Sequence, residues 1–160
     1  MPANSRFAIA VHILTLMASA GDEPLKSEEV ACSVNTNPVV IRRILCALSR
    51  AGLVVSQTGA AGGSRLAVKP GQITLLEVYR AVDGGEIFVL HSQPPNAACP
   101  VGMNIEGALD RILDEVGKGV ERVLEKITIE KVLKSIVPPR SKRPAPGSRQ
   151  RPGSLRAAGK

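Results

Sequence analysis

The sequence predicts a mainly α-helical protein: a winged helix-turn-helix domain with a two-stranded wing and a long C-terminal dimerisation helix. Two observations lie within residues 27–68, where two short helical segments joined by a tight turn are followed at once by a glycine-bearing hairpin. The third is a stripe of apolar residues at helical spacing between Ile105 and Ile127. A small winged domain and a helix that packs against another helix follow from these patterns.

The first segment is a helix that we expect to be buried on most sides. Asn4 or Ser5 can cap it, and it extends to about Ser19. Its apolar stripe consists of Phe7, Val11, Leu14 and Ala18. His12 lies within the same helix, and two interpretations stay open: a histidine at the edge of the core, hydrogen-bonded to backbone, or a ligand of a metal or cofactor.

The next segment contains two helices separated by a tight turn. Ser27 is a suitable N-cap for the first, because two acids follow it where the helix dipole favours negative charge. Asn37 and Pro38 open the second, since Asn is a strong N-cap and Pro is favoured at the first helical position. Gly52 follows its last turn and suits the left-handed conformation that ends many helices. This arrangement places a second helix in a DNA major groove.

The second of these helices has an aliphatic face and a basic face. At about 100° per residue the aliphatic side chains share one side; they are Ile41, Ile44, Leu45 and Leu48. The opposite side carries Val39, Arg43, Cys46 and Arg50, with Arg42 at its flank. An ordinary amphipathic helix with solvated arginines would show the same pattern. Strands predicted at 53–57 and 65–68 favour DNA binding, because the glycine-rich loop between them allows the backbone to approach a phosphate closely.

Four motifs follow one another in a fixed order along the chain. They are SRFAIAVHIL at 5–14, NPVVIRR at 37–43, the wing pattern GxxGGxxLA at 59–67 and ITLLEVYRAV at 73–82. In that order and spacing they resemble the Rrf-two family of bacterial transcriptional regulators, over roughly residues 1–137. That family includes the iron–sulfur cluster regulator, a nitrite-responsive repressor and a cysteine-metabolism repressor. Ser64 departs from the pattern, because many members carry an aromatic side chain at that point of the wing.

The resemblance implies a transcriptional regulator, a homodimeric repressor that binds a palindromic operator in double-stranded DNA. Together with the basic face and the wing it predicts the DNA contacts, which are Ser5, Arg6, Asn37, Pro38, Val39, Arg42, Arg43, Gly62, Gly63, Ser64 and Arg65. A protein–protein adaptor with the same winged fold is an alternative, although an adaptor has no need of arginines gathered on one side. We expect no enzyme, since the sequence has neither a phosphate-binding loop that ends in Gly-Lys-Ser/Thr nor a nucleophile elbow.

Further helices are predicted after the wing. Residues 74–77 form a capping box for a helix to about Val82, which Asp83-Gly84-Gly85 ends. The long helix that follows carries an apolar seam of Ile105, Leu109, Ile112, Val116, Val120, Val123 and Ile127, and Thr128 can cap a last helix to Ile136. Because the winged domain has its own core, we expect the seam to meet its copy in a homodimer. The alternative is a helix that folds back onto its own domain.

The loop before the long helix lies where cluster-binding members of the resembled family carry three cysteines. This chain has Cys99 alone, with Gln93 and Ile105 about six residues to either side. An iron–sulfur cluster needs about four thiolate or imidazole ligands, so we expect no cofactor bound in the usual way. A cluster with unusual ligands stays an alternative, for which His12, His91 and Cys99 are the first candidates.

The thiols also offer a redox response. Cys99 is either structural or redox-active, and Cys46 lies among arginines, where positive charge favours the reactive thiolate. We expect Cys32, in the first helix of the motif, to have a role in packing. Three widely spaced cysteines form no disulfide framework and suit a reducing cytoplasm.

Charge is unevenly distributed along the chain. The formal net charge is +7, yet residues 140–160 hold seven Lys/Arg and no acid. Residues 26–80 hold seven Lys/Arg against three Asp/Glu, a local excess that suits a polyanion-binding face. We therefore predict a DNA-binding domain at 1–84, a sensor-type loop at 85–103, dimerisation and terminal helices at 104–137 and a disordered basic tail at 138–160. No apolar run is long enough to span a membrane.

Overall fold

A computed structural model describes residues 3–59, 62–83 and 88–136 of the chain. In order, its elements are α1 (Ala3–Ala20), α2 (Ser27–Val34), α3 (Pro38–Arg50), β1 (Val54–Gln57), β2 (Gly63–Leu66), a 3-10 turn (Pro70–Gln72), α4 (Leu75–Val82), α5 (Pro100–Glu125) and α6 (Ile129–Ile136). The strands pair antiparallel, with Val54 opposite Leu66 and Gln57 opposite Gly63. The mainly helical winged helix-turn-helix fold is confirmed. The predicted helix end at Gly84–Gly85 and the predicted basic tail lie outside the described residues.

The caps of α3, α4 and α6 follow the sequence signals, but two other helix starts do not. Asn37 Oδ1 accepts the Val39 backbone N–H at 2.8 Å, as its cap position predicts. In contrast, α1 already begins at Ala3, so the predicted caps Asn4 and Ser5 lie inside the helix. Ser27 is the first helical residue of α2 rather than its cap. The cap is Lys26, and its backbone N–H donates to Glu29 Oε2 at 2.7 Å. This bond closes the start of α2 without a serine side chain.

The core lies between α1, the helix-turn-helix and the returning α6. Its fully buried side chains are aliphatic or Met; the largest are Ile13, Leu14, Met17, Ile41, Ile44, Leu48, Ile73 and Ile129. All four residues of the predicted aliphatic face of α3 are buried. The helix α1 packs mainly against α6 and α4. The returning α6 therefore completes the core of the winged domain, and Ile129 of this helix is fully buried in it.

A backbone bridge fastens the wing to the connection between α1 and α2. The Ser64 N–H donates to the Leu25 carbonyl at 2.8 Å, and the Leu25 N–H donates to the Ser64 carbonyl at 2.9 Å. The backbones approach so closely that a Cβ on Gly63 would lie 2.9 Å from the Leu25 oxygen and 3.1 Å from the Pro24 carbonyl carbon. Gly63 is therefore a packing requirement of the wing.

Replacing Gly63 by alanine should destabilise the protein by about 1–3 kcal/mol, because the new methyl group meets backbone that cannot move aside without breaking the bridge. Chemical denaturation measures the change. Gly107→Ala is the matched control: its Cβ meets nothing within 4 Å inside α5, so this variant should be stabilised by up to about 1 kcal/mol. Equal stabilities for the two alanine variants would contradict the close approach at Gly63.

The chain leaves the winged domain along α5 and returns to it through α6. The Leu75 N–H donates to the Ile127 carbonyl at 2.8 Å, and the Ile129 N–H donates to the Ile73 carbonyl at 3.0 Å. These bonds surround a bridge between Thr74 and Thr128, the caps of α4 and α6. Ile127 of the predicted dimer seam lies beyond α5 and packs against its own chain's core, so it does not continue the exposed apolar face of α5. The helix α5 also starts at Pro100, ahead of the predicted boundary at 104.

Candidate nucleic-acid interface

The outer face of α3 is exposed and basic from its first turn onward. The side chains of Val39, Arg42, Arg43, Cys46 and Arg50 are all exposed, while the opposite face is buried in the core. The helix begins at a capped and proline-fixed N-terminus, where free backbone N–H groups and the helix dipole favour negative charge. A surface of this kind is complementary to the phosphates and base edges of a DNA groove.

An ion pair joins the two helices of the motif. Arg42 Nη2 donates to Glu28 Oε1 at 2.5 Å, across the turn between α2 and α3. The backbone N–H of Glu28 and then the Arg42 guanidinium hold the pKa of the Glu28 carboxyl below its ordinary value. Both side chains remain largely exposed, at 59% and 62%, so the pair contributes little to stability. It does restrict the position of the Arg42 guanidinium on the basic face of α3.

Sequence reasoning missed this role of Glu28. Its position in the first turn of α2 is explained by the helix dipole alone, and Arg42 lies 14 residues further along the chain. Contacts between consecutive helices have no periodic signature in the sequence. Only an acid on α2 together with a flanking arginine on α3 could have indicated it.

The wing places its predicted contacts in three different settings. Gly62 lies at the hairpin turn, where an added Cβ would be 2.4 Å from the Gln57 carbonyl oxygen. Arg65 is half-buried and lines a cavity of about 410 Å³ together with Asp22 and Lys69. Ser64 is only 5% exposed, and its hydroxyl is hydrogen-bonded to that of Ser56 at 2.8 Å. Its side chain is therefore unavailable to DNA, contrary to the predicted contact.

The remaining predicted DNA contacts lie in the first turns of α1. Arg6 is exposed, and Ser5 is half-buried. Neither residue belongs to the helix-turn-helix, so both would act as flanking contacts to the DNA backbone.

The candidate metal and redox residues are dispersed. His12 is exposed on α1, and its Nε2 lies 3.1 Å from the Ser33 hydroxyl rather than from a backbone group. All three cysteines are exposed, which contradicts the packing predicted for Cys32 on α2. Cys99 precedes α5, and the backbone N–H groups of Gly102 and Val101 lower the pKa of its thiol. Across residues 3–59, 62–83 and 88–136, no three His, Cys, Asp or Glu side chains are grouped so that they could hold a metal ion.

The helix α5 presents an apolar face without a core beneath it. None of its residues is buried. Ile112, Val116 and Val123 of the predicted seam are 56%, 42% and 58% exposed, and Ile105, Leu109 and Val120 are half-buried. An ion pair between Arg80 of α4 and Glu121, at 3.1 Å, joins the helix to its own domain. Of the helices that the structure describes, none combines the length and apolar character needed to cross a bilayer.

The helix-turn-helix, the attached wing and the basic outer face of α3 together define a DNA-binding transcriptional regulator. A family model described as "Rrf2: Iron-dependent Transcriptional regulator" matches residues 3–135. The chain therefore belongs to the Rrf2 family, the same Rrf-two family that its motifs resemble. Its relatives are transcriptional regulators and not enzymes.

Individual proteins agree with this assignment. The chain is 44% identical over 131 residues to the "Putative HTH-type transcriptional regulator YwnA" of Bacillus subtilis, covering 81% of this chain and 96% of that protein. The crystal structure of a "putative DNA binding protein" is 40% identical, with a TM-score of 0.65 over 80% of this chain and 98% of that one. The structure of CymR, the global cysteine regulator of B. subtilis, is 24% identical with a TM-score of 0.60, over 81% of this chain and 94% of that one, and shows likeness of fold alone.

The iron named in the family description does not fit the donor set of one chain. An iron–sulfur cluster needs about four thiolate or imidazole ligands. Here Cys32, Cys46 and Cys99 lie on α2, on α3 and before α5, and His12 is hydrogen-bonded to Ser33. His91 is exposed in the loop before α5. No step of the function is therefore assigned to iron.

Proposed function

We propose that this protein is a homodimeric repressor that binds a palindromic operator through α3. The exposed arginine face of α3, beginning at its capped N-terminus, is the observation that carries this proposal. A repressor of this kind acts in the cytoplasm, where three free, exposed thiols stay reduced.

The N-terminal turn of α3 enters the major groove, which is about 12 Å wide and admits an α-helix. Arg43 then faces base edges, where a guanidinium can donate two hydrogen bonds to guanine. The hairpin turn at Gly62 approaches the adjacent DNA backbone, because a glycine has no side chain to prevent close contact with phosphate. Arg65 and Lys69 add positive charge beside the wing.

The second copy binds along α5. A helix of 26 residues is roughly 39 Å long, and the exposed side chains of Ile112, Val116 and Val123 lie along one of its faces. Pairing two such faces about a two-fold axis removes them from water and presents two α3 helices to one duplex. Two-fold symmetry of the protein then corresponds to a palindromic operator.

Selection from a pool of random duplex DNA tests this function. The protein should enrich an inverted repeat whose half-sites are separated by about 10 base pairs or a multiple of that spacing. Recovery of no enriched sequence at physiological salt, with binding that falls equally for every duplex as salt rises, would contradict operator binding. That outcome would favour the protein–protein adaptor.

A second proposal concerns the signal, and it is carried by the environment of Cys99. The thiol is exposed, and the backbone N–H groups of Gly102 and Val101 lower its pKa, which raises the fraction present as the nucleophilic thiolate. Attack on hydrogen peroxide breaks the O–O bond, forms a sulfenic acid on sulfur and releases hydroxide. Cys46 offers a more direct route, because oxidation on the outer face of α3 adds bulk where DNA would lie.

Peroxide should therefore weaken operator binding, and a thiol reductant should restore it. Gel-shift titrations of the parent, Cys46→Ser and Cys99→Ser, each reduced and oxidised, locate the responsible thiol. Cys32→Ser is the control, because this exposed thiol lies on α2 and should leave the response unchanged. Equal operator affinity of oxidised and reduced parent would reject thiol sensing.

A further inference from the structure

We propose that Glu28 is a positioning residue that determines sequence specificity by holding the Arg42 guanidinium against one guanine of each half-site. The inference rests on the proposed function, since it assumes that α3 binds DNA. It is supported by a separate observation, the ion pair between Glu28 of α2 and Arg42 of α3.

This ion pair differs in kind from its counterparts in the described part of the chain. The pairs Lys118–Asp114 and Lys134–Glu130 join residues four apart on one helix, and Arg80–Glu121 joins α4 to α5. Arg42–Glu28 alone among these four bridges the two helices of the motif. It therefore acts at the surface that faces DNA.

The geometry leaves Arg42 free to make its contact with DNA. A guanidinium carries five N–H donors in a planar fork, and the bond to Glu28 engages Nη2. The side chain stays 59% exposed, so donors of the fork remain available to a base. Because the fork is planar, a bond to one amino group restricts the directions that the other donors can take.

The backbone of Glu28 is held at the start of α2. It lies in the first turn of α2, whose start is held by the bond from the Lys26 backbone N–H to Glu29. The backbone N–H of Glu28 and then the Arg42 guanidinium lower the pKa of its carboxyl, which favours the charged form that pairs with Arg42. An arginine whose guanidinium is already hydrogen-bonded loses less conformational freedom when it binds a base. The expected gain is discrimination between bases rather than overall affinity.

A simple electrostatic role of Glu28 makes a different prediction. A carboxylate near DNA repels phosphates, so its removal would strengthen binding to all sequences by the same factor. Positioning of Arg42 instead predicts a change confined to the base pair that Arg42 contacts. Glu28→Gln separates the two roles, because it removes the charge and retains the shape of an exposed side chain.

The experiment measures affinity for the selected operator and for every single base-pair substitution in one half-site. Glu28→Gln should lower the preference at one position by about 5- to 10-fold, and leave the preferences at the other positions unchanged. Glu23→Gln is the charge-matched control, an exposed acid in the α1–α2 turn whose loss should alter no preference. In an Arg42→Ala variant the base preference at that position should already be lost. Adding Glu28→Gln to this variant should therefore change nothing there.

The outcomes are distinct. A uniform change at all positions, or an equal effect of Glu28→Gln with and without Arg42, would overturn the positioning role while the parent still selects its operator. A parent protein without any base preference would overturn the proposed function and this inference together.

Discussion

Arg43→Ala should weaken binding to the selected operator by about 1–3 kcal/mol, which corresponds to roughly 5- to 150-fold in affinity. Arg43 is exposed near the start of α3, next to the capped N-terminus that would enter the major groove. Loss of its guanidinium leaves base acceptors unpaired in a partly desolvated interface. Fluorescence anisotropy at fixed salt measures the effect.

The control is Arg111→Ala, which removes the same charge from α5. Its guanidinium Nε donates to the Gly107 carbonyl at 3.1 Å, on the helix that we propose as the dimer interface and not on α3. Operator affinity of this variant should stay close to that of the parent. Equal losses for the two arginines would indicate a diffuse effect of net charge, and the specific role of Arg43 would be rejected.

Ile112→Glu should convert the protein to monomers. The Ile112 side chain is 56% exposed in the single chain and lies on the face of α5 that would meet the second copy. A carboxylate there would have to be buried without a partner, which costs several kcal/mol at each of two symmetric positions. Sedimentation at micromolar concentration gives the association state. Operator affinity should also fall, because a monomer binds one half-site without the contribution of the other.

Arg111→Glu is the control for this variant. It introduces a carboxylate at the neighbouring residue, about 100° further around the helix and off the apolar face. This protein should remain dimeric. A parent that already sediments as a monomer at micromolar concentration would rule out the dimer and leave a palindromic operator without explanation.

Local signals predicted the motif itself. Asn37 and Pro38 define the start of α3 because capping and proline geometry depend on adjacent residues, and the structure retains the Asn37 cap. The capping box from Thr74 to Glu77 and the left-handed Gly52, with φ of 74°, follow for the same reason. Periodicity likewise indicated which face of α3 is buried.

Contacts between distant segments escaped prediction. Ser64 is buried because Leu25, far from it in sequence, pairs with its backbone. Ile127 continues the spacing of the seam, yet the bridge between the α4 and α6 caps draws it into its own chain's core. The partnership of Glu28 with Arg42 depends on how α2 and α3 meet. In each case the deciding neighbour is brought close by the fold and leaves no local pattern.

The most direct test of DNA binding through α3 is one titration at fixed salt, with the selected operator and with the double variant Arg42→Ala/Arg43→Ala beside the parent. Both residues are exposed, so the variant should fold as the parent does. We expect specific binding to weaken by more than Arg43→Ala alone produces, while weak, salt-sensitive binding to unrelated duplexes persists. Operator binding as tight as that of the parent would contradict the assignment of α3 as the helix that contacts DNA.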